Sequence, residues 1–188
     1  MSSASSDSRV KAVDGSRKQG HFQVRVWRDQ AGARIPVAAL KRALMQVGRG
    51  EKCRGNVHVI IASESTMHDL NRRFRRRDRP TDVLAFSYQG CRSVEDIDPL
   101  VGEIYCNHDH ARRWREEHGG TIADELVRLA VHGGLHLCGY DHHTAAQRRR
   151  MAAAENRYLA EVGLIALRQP RSGRRPYSGR PSRRRGDM

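Results

Sequence analysis

Three histidines within eleven residues constrain this chain more than any other feature of its sequence. His132 and His136 are four residues apart in an apolar stretch with helical periodicity. Their imidazoles are therefore expected on one face of a helix, one turn apart. Gly139 ends that helix and allows the chain to turn, which can bring His142 to the same place. Imidazoles gathered around one point predict a metal site.

The number of ligands indicates what kind of metal site this is. Three protein ligands leave one coordination position for water, which is the catalytic arrangement of zinc rather than the structural one. Nickel and copper also bind three imidazoles. His143 is a possible substitute for His142. Asp141 is another candidate ligand, although a role in the turn or in orienting a ligand fits it better. His108 and His110 follow no such pattern and are predicted to lie on the surface.

The residue after the first histidine bears on the reaction. The spacing HxxxHxxGxxH is that of metzincin proteases, whose motif begins HExxH. Here Gly133 replaces the glutamate that acts as general base in those enzymes. Glu103 and Glu125 could replace it, but Glu125 precedes His132 by about two turns and is expected to point away. Proteolysis is therefore the weaker hypothesis.

Strand and helix patterns alternate along the chain and predict a mixed α/β fold. Short alternating or β-branched runs indicate about four strands, and apolar residues at helical spacing indicate about five helices. The predicted strands are 22–26, 57–62, 83–86 and 104–106. The predicted helices are 36–47 (ended by Gly48), one capped by Ser63 with Met67, Leu70 and Phe74 inward, 107–118, 121–138 (opened by a Thr121/Asp124 capping box), and one capped by Thr144 with Met151, Tyr158, Leu159 and Val162 inward.

Composition limits the cell compartment and the partners. The net charge is +14, and residues 168–188 hold eight arginines against one acid. This segment and residues 1–20 lack apolar residues to bury and are predicted to be disordered tails. The basic charge favours a polyanionic partner. Because no apolar run of ~20 residues and no secretory signal is present, we expect a cytoplasmic protein without membrane association. The four cysteines, without CxxC spacing, are predicted to be reduced thiols.

A second chemical feature is the run of six arginines between residues 72 and 79. Arginine matches phosphate oxygens with its planar fork, and one guanidinium near the metal could stabilise charge on a phosphate. The pattern does not single out one of the six.

Three motifs resemble those of the YbeY family, the bacterial rRNA maturation endoribonucleases. HGGLHLCGYDH at 132–142 resembles the family's HGxLHLxGYDH signature. Residues 70–86 resemble its LNxxFRxxDxPTDVLSF motif, with Ala85 in place of serine. Residues 101–104 resemble its LGDI strand, with Glu103 in place of aspartate.

This resemblance implies a single α/β domain over 21–167, with a small, mostly parallel four-stranded sheet and a zincin-like central helix. It implies His132, His136 and His142 as ligands of one metal ion, usually zinc, and Arg75 as the functional arginine. It implies metal-dependent cleavage of single-stranded RNA in small-subunit rRNA 3′-end maturation and ribosome quality control. The small ribosomal subunit and its assembly factors are the implied partners.

The predicted catalytic residues are Arg75 and the metal ligand His132. In the mechanism we expect, metal-bound hydroxide attacks the phosphodiester and Arg75 offsets the charge on the transition state. Attack by the substrate's own 2′-OH is the alternative, and it leaves a cyclic phosphate. A non-catalytic RNA-binding assembly factor is the rival function. A fourth ligand from His143 or Asp141 would favour a purely structural metal.

Overall fold

The chain folds around a four-stranded sheet. The computed structural model describes residues 22–29, 34–88 and 100–164. The strands are β1 (Phe22–Arg28), β2 (Gly55–Ala62), β3 (Val83–Ser87) and β4 (Leu100–Asn107). They lie in the order β1-β2-β4-β3; β1, β2 and β4 are parallel, and β3 is the antiparallel edge strand. The two predicted tails and Cys91 lie outside the described residues.

Within the described ranges, five helices pack with this sheet. They are α1 (Val37–Gly50), α2 (Glu64–Arg75), α3 (His108–His118), α4 (Ile122–Leu137) and α5 (Ala145–Glu161). The predicted α/β fold with four strands, mostly parallel, and five helices is confirmed. None of these helices is long and apolar enough to span a bilayer.

Side-chain hydrogen bonds start three of the helices at the residues that the sequence predicts. Ser63 accepts a hydrogen bond from the backbone N–H of Thr66 and begins α2. Thr121 begins α4 and Thr144 begins α5, each with a complete capping box. These caps satisfy backbone donors that the first turn of a helix leaves unpaired.

The two faces of the sheet carry different layers. Because side chains alternate along a strand, Val57, Val59 and Ile61 face one side and Ile60 the other. The first face joins the main core with α1, α4 and α5. The second face packs a smaller cluster around Met67 of α2.

Two details of the helix predictions are wrong. Helix α1 does not end at Gly48 but continues to Gly50. An added Cβ at Gly48 would lie 2.4 Å from Cδ1 of Phe22, so this glycine permits close packing of β1 on the helix. Phe74 is not on the inner side of α2: it is 60% exposed, since its ring reaches the sheet only at Phe86.

Helix α4 packs unusually close to its neighbours through two consecutive glycines. A Cβ at Gly133 would lie 2.5 Å from Cγ2 of Ile104 in β4. A Cβ at Gly134 would lie 2.6 Å from Cδ2 of Leu44 in α1. Gly133 therefore faces the sheet, and a side chain at this position would enter the core.

Replacing Gly133 with alanine tests this close packing. Alanine normally favours a helix over glycine by ~0.5–1 kcal/mol. Here we expect Gly133→Ala to lower the free energy of unfolding by about 1–3 kcal/mol, because the methyl group meets a β-branched side chain. Urea unfolding of the purified protein measures the change. In an Ile104→Ala background the added loss should shrink, and an equal loss in both backgrounds would contradict the contact.

Candidate metal centre

The last turns of α4 place two imidazoles side by side. The ring centroids of His132 and His136 are 4.8 Å apart, and their Nε2 atoms are 3.2 Å apart. The ring of His142 lies 5.7 Å from that of His132 and 5.0 Å from that of His136. One nitrogen from each of the three lies within 4.8 Å of the others, so the group could hold a metal ion.

The turn after α4 brings His142 back to the helix. Gly139 has φ +86°, in the left-handed region that glycine tolerates. Asp141 Oδ1 accepts a hydrogen bond of 2.7 Å from the backbone N–H of His142. From the first turn of α5, Arg148 donates hydrogen bonds to the carbonyls of His142 (3.2 Å) and His143 (2.9 Å). The loop that carries His142 is thus stabilised by the side chain of Asp141, inside the loop, and by Arg148 of the following helix.

The outer nitrogens of the two helical histidines are both engaged. Nδ1 of His132 donates to Oε1 of Glu155, a buried carboxylate of α5. Nδ1 of His136 donates to the carbonyl oxygen of Tyr140, at 2.9 Å. With the proton on Nδ1, Nε2 of each neutral ring presents a lone pair to the other.

This donor set fits a zinc-like ion. Two lone pairs at 3.2 Å repel each other unless a cation lies between them. Nitrogens bound at ~2.0–2.1 Å to one tetrahedral ion are about 3.3 Å apart, close to the spacing of the two Nε2 atoms.

The protonation of the cluster also suits metal binding. Burial, followed by the nearby His132, lowers the pKa of His136 to about 4. Burial and the same neighbour lower the pKa of His142, and the positive charge of Arg75 adds to the effect. Lowered pKa values keep the rings of His136 and His142 neutral near pH 7, the form that binds metal.

Tyr140 is itself fixed by neighbours outside the cluster. Its hydroxyl donates to Oε1 of Glu51 at 3.1 Å, and the guanidinium of Arg150 lies 4.5 Å from its ring centre. The Tyr158 hydroxyl also donates to Glu51 Oε1, at 2.6 Å. The carbonyl that orients His136 is therefore anchored to α1 and α5.

Glu155 is a site residue that the sequence reasoning missed. It lies four residues after Met151 and three before Tyr158, so it shares the buried face of α5. A carboxylate on an otherwise apolar helix face is seldom buried without a partner. The place of Glu155 on the apolar face of α5 was therefore the feature of the sequence that could have revealed it.

Among the described residues, the donor atoms that converge within 4.8 Å are those of His132, His136 and His142, and neither alternative ligand, His143 or Asp141, is among them. His143 is 81% exposed, and its Nε2 is 3.2 Å from Oδ2 of Asp141. The carboxylate of Asp141 therefore has two partners, the backbone N–H of His142 and the ring of His143. His108 and His110, which were predicted to lie on the surface, are both only partly exposed, and Nε2 of His110 lies 3.7 Å from Oε1 of Glu125.

Neither glutamate considered as a peptidase base joins the three histidines. Glu103 accepts hydrogen bonds from the hydroxyls of Tyr88 (3.0 Å) and Tyr105 (3.1 Å). Glu125 is buried and accepts two hydrogen bonds from Arg128, at 2.7 and 2.5 Å. Burial alone would raise the pKa of Glu125, but Arg128 and His110 together outweigh it and hold that pKa below its ordinary value.

Arg75 is the last residue of α2 and is exposed. The loop that follows is fixed by two buried asparagines. Asn71 donates to the carbonyl of Arg79 at 2.6 Å, and Asn107 donates to that of Thr81 at 3.0 Å. The arginine run is therefore attached to a rigid support, close enough to the histidines for the charge of Arg75 to affect His142.

Comparisons with known proteins show the family of this chain. The family model described as endoribonuclease YbeY matches residues 23–163. The chain belongs to the YbeY endoribonuclease family. It is 41% identical over 114 residues to endoribonuclease YbeY of Desulfitobacterium hafniense, covering 58% of this chain and 73% of that one. With the Rhodopseudomonas palustris YbeY it shares 35% identity over 144 residues, covering 73% of this chain and 74% of the relative.

A solved structure supports the fold of this YbeY-family chain. The solution structure of TM1509 from Thermotoga maritima matches with a TM-score of 0.50 and 28% sequence identity. The match covers 81% of this chain and 99% of that one. The resemblance drawn from the three sequence motifs and the assignment to the endoribonuclease class of hydrolases are confirmed.

Removing Glu155 tests its contact with His132. We expect Glu155→Ala to weaken zinc binding about 10- to 100-fold, because the imidazole loses the partner that fixes its tautomer and orientation. Competition with a chromophoric zinc chelator measures the dissociation constant. Glu161→Ala, which removes an exposed carboxylate of the same helix, is the control. Unchanged affinity in a folded Glu155→Ala protein would contradict the role.

Proposed function

We propose that this chain is a metal-dependent endoribonuclease that cleaves single-stranded RNA at the three-histidine cluster. The proposed substrate is rRNA, and the proposed reaction is cleavage during maturation of the 3′ end of the small-subunit rRNA. We also propose a role in ribosome quality control. The observation that carries the proposal is the convergence of three imidazole nitrogens within 4.8 Å in a YbeY-family chain. The small ribosomal subunit and its assembly factors are the proposed partners.

His132, His136 and His142 would hold the ion, for which zinc is our proposal and nickel the nearest alternative. When bound, such an ion lowers the pKa of a coordinated water towards ~7 and stabilises charge on phosphate oxygens. Glu155 and the Tyr140 carbonyl orient two of the rings, and Arg148 holds the backbone of the third.

Arg75 supplies the positive charge on the substrate side of the site. Its side chain is exposed, and its guanidinium can donate two parallel hydrogen bonds to a phosphate. A phosphodiester gains negative charge on its oxygens as it is attacked, so a fixed cation there lowers the barrier. Arg75 is therefore proposed to bind the scissile phosphate and to stabilise the transition state.

Proteolysis loses support from the packing of α4. Gly133, which stands where peptidases of the HExxH type carry their base, faces Ile104 in the core. The acid that contacts the cluster, Glu155, is bonded to Nδ1 of His132 and so lies on the far side of that ring from Nε2. It orients the ring and does not occupy the place of a peptidase base.

The nucleophile is proposed to be water, with the 2′-OH of the substrate as the alternative. The ends of the products separate the two, since attack by the 2′-OH leaves a 2′,3′-cyclic phosphate. A single 2′-deoxy substitution at the cleaved position blocks only that route.

Cleavage of an end-labelled single-stranded RNA tests the proposal. We expect zinc-loaded protein to cleave it, chelation to abolish cleavage, and returned zinc to restore it. His132→Ala, purified in parallel, excludes a contaminating nuclease. A folded, zinc-loaded chain that binds RNA but cleaves neither free RNA nor small-subunit particles would contradict the enzyme and favour a non-catalytic assembly factor.

The same assay tests Arg75. We expect Arg75→Ala to lower the cleavage rate about 100- to 1,000-fold, because one charged donor to the transition state is lost. Arg115→Ala removes an exposed arginine from the last turn of α3 and controls for the change in net charge. Equal rates for the two variants would refute the role of Arg75.

A further inference from the structure

Phe74 places an aromatic ring in solvent directly before Arg75 in the chain. It is 60% exposed, while the other aromatic side chains around it are partly buried in the sheet surface. A single exposed apolar residue is ordinary in a folded protein. The surroundings of this ring are what distinguish it.

The ring is rigidly supported from the sheet. Phe74 packs edge-to-face on Phe86 of β3, with centroids 5.0 Å apart and planes at 65°. Phe86 packs in the same manner on Tyr105 of β4, at 5.8 Å and 86°. Two aromatic contacts in series fix the position of Phe74, so that a planar ligand would not have to order it on binding.

Most of the charged side chains that flank the ring in the chain are cationic, although Arg72 is paired with Asp69. The guanidinium of Arg73 lies 5.9 Å from the ring centre of Phe74. Arg72, Arg75, Arg76 and Arg77 on either side are all exposed. An aromatic ring among cations, on a rigid support, is the combination with which proteins bind single-stranded nucleic acid.

We propose that Phe74 is a base-stacking subsite for the RNA strand. An unpaired base would stack on the ring, and the flanking phosphates would meet the guanidinium groups of Arg73 and Arg75. The proposal rests on the proposed function and extends it, because it explains a preference for single strands: paired bases do not expose a face. A protein partner docking on the same ring is the competing occupant, which the surrounding charges disfavour.

Equilibrium binding of a short RNA tests the subsite without relying on cleavage. The probe is a fluorescein-labelled twelve-nucleotide single strand with 2′-O-methyl riboses, whose integrity is checked on a gel. Zinc-loaded full-length protein is titrated into it at several salt concentrations. Phe74→Leu keeps an apolar side chain but removes the ring, and Phe74→Trp keeps a ring.

We expect Phe74→Leu to bind about 5- to 100-fold more weakly, the range that one stacked base contributes. Its salt dependence should match wild type, because the phosphate contacts remain. Phe74→Trp should bind within twofold of wild type or more tightly. Val37→Ala, a change at another exposed apolar residue, should have no effect.

Three results would overturn the subsite: Phe74→Leu binding as tightly as wild type, Phe74→Trp losing as much affinity as Phe74→Leu, or wild type failing to bind the single strand. If Phe74→Leu left the affinity for RNA unchanged but weakened binding to a protein partner, the ring would be assigned to that partner. The proposed function fails separately, by absence of cleavage, and that outcome leaves the binding comparison intact.

Discussion

The close packing of α4 against the sheet and α1 is the constraint on which the rest of the site depends. Gly133 and Gly134 allow the helix backbone to approach Ile104 and Leu44 at a distance that no side chain would permit. The helix is buried along most of its length, so the positions of His132 and His136 are set by the core. A metal site built on a rigid element needs little reorganisation to bind its ion.

The polar groups around the histidines extend this rigidity outward. Glu155 bonds to His132, and the Glu51–Tyr140 contact anchors the carbonyl that bonds to His136. One turn before His132, Arg128 is paired with Glu125. Buried charges in a protein are stable only when they are paired in this way. The three imidazoles thus lie next to an interior in which the buried charges are paired.

The sequence was sufficient for features with a local physical signal. Ser63, Thr121 and Thr144 begin helices because their hydroxyls satisfy nearby backbone donors, and residue spacing alone places His132 and His136 on one helix face. The sequence was insufficient for features that depend on a contact with a distant segment of the chain. Gly48 was predicted to end α1 because glycine often follows a helix. Its actual role is to make room for Phe22, which lies on another element and gives no local signal. Glu155 bonds to a histidine 23 residues earlier in the chain.

Packing between elements also explains the other departures. Phe74 has the spacing of an inward residue, but Met67 is the side chain of α2 that is fully buried against the sheet, and the ring of Phe74 lies edge-to-face on Phe86 while staying largely exposed. Nε2 of His110 lies 3.7 Å from Oε1 of the buried Glu125, a proximity between α3 and α4 that has no signal in the sequence. Of the site, the three histidines follow from spacing, whereas Arg75 could be selected from its run of arginines only by resemblance to a family.

The coordination of zinc in the full-length protein tests the central claim most directly. X-ray absorption at the zinc edge should show one ion per chain with three imidazole nitrogens at ~2.0–2.1 Å and one oxygen from water. His142→Ala should lose one imidazole, while His143→Ala should leave the spectrum unchanged. A fourth protein ligand, a sulfur ligand, or a spectrum that His142→Ala does not alter would contradict an open three-histidine site.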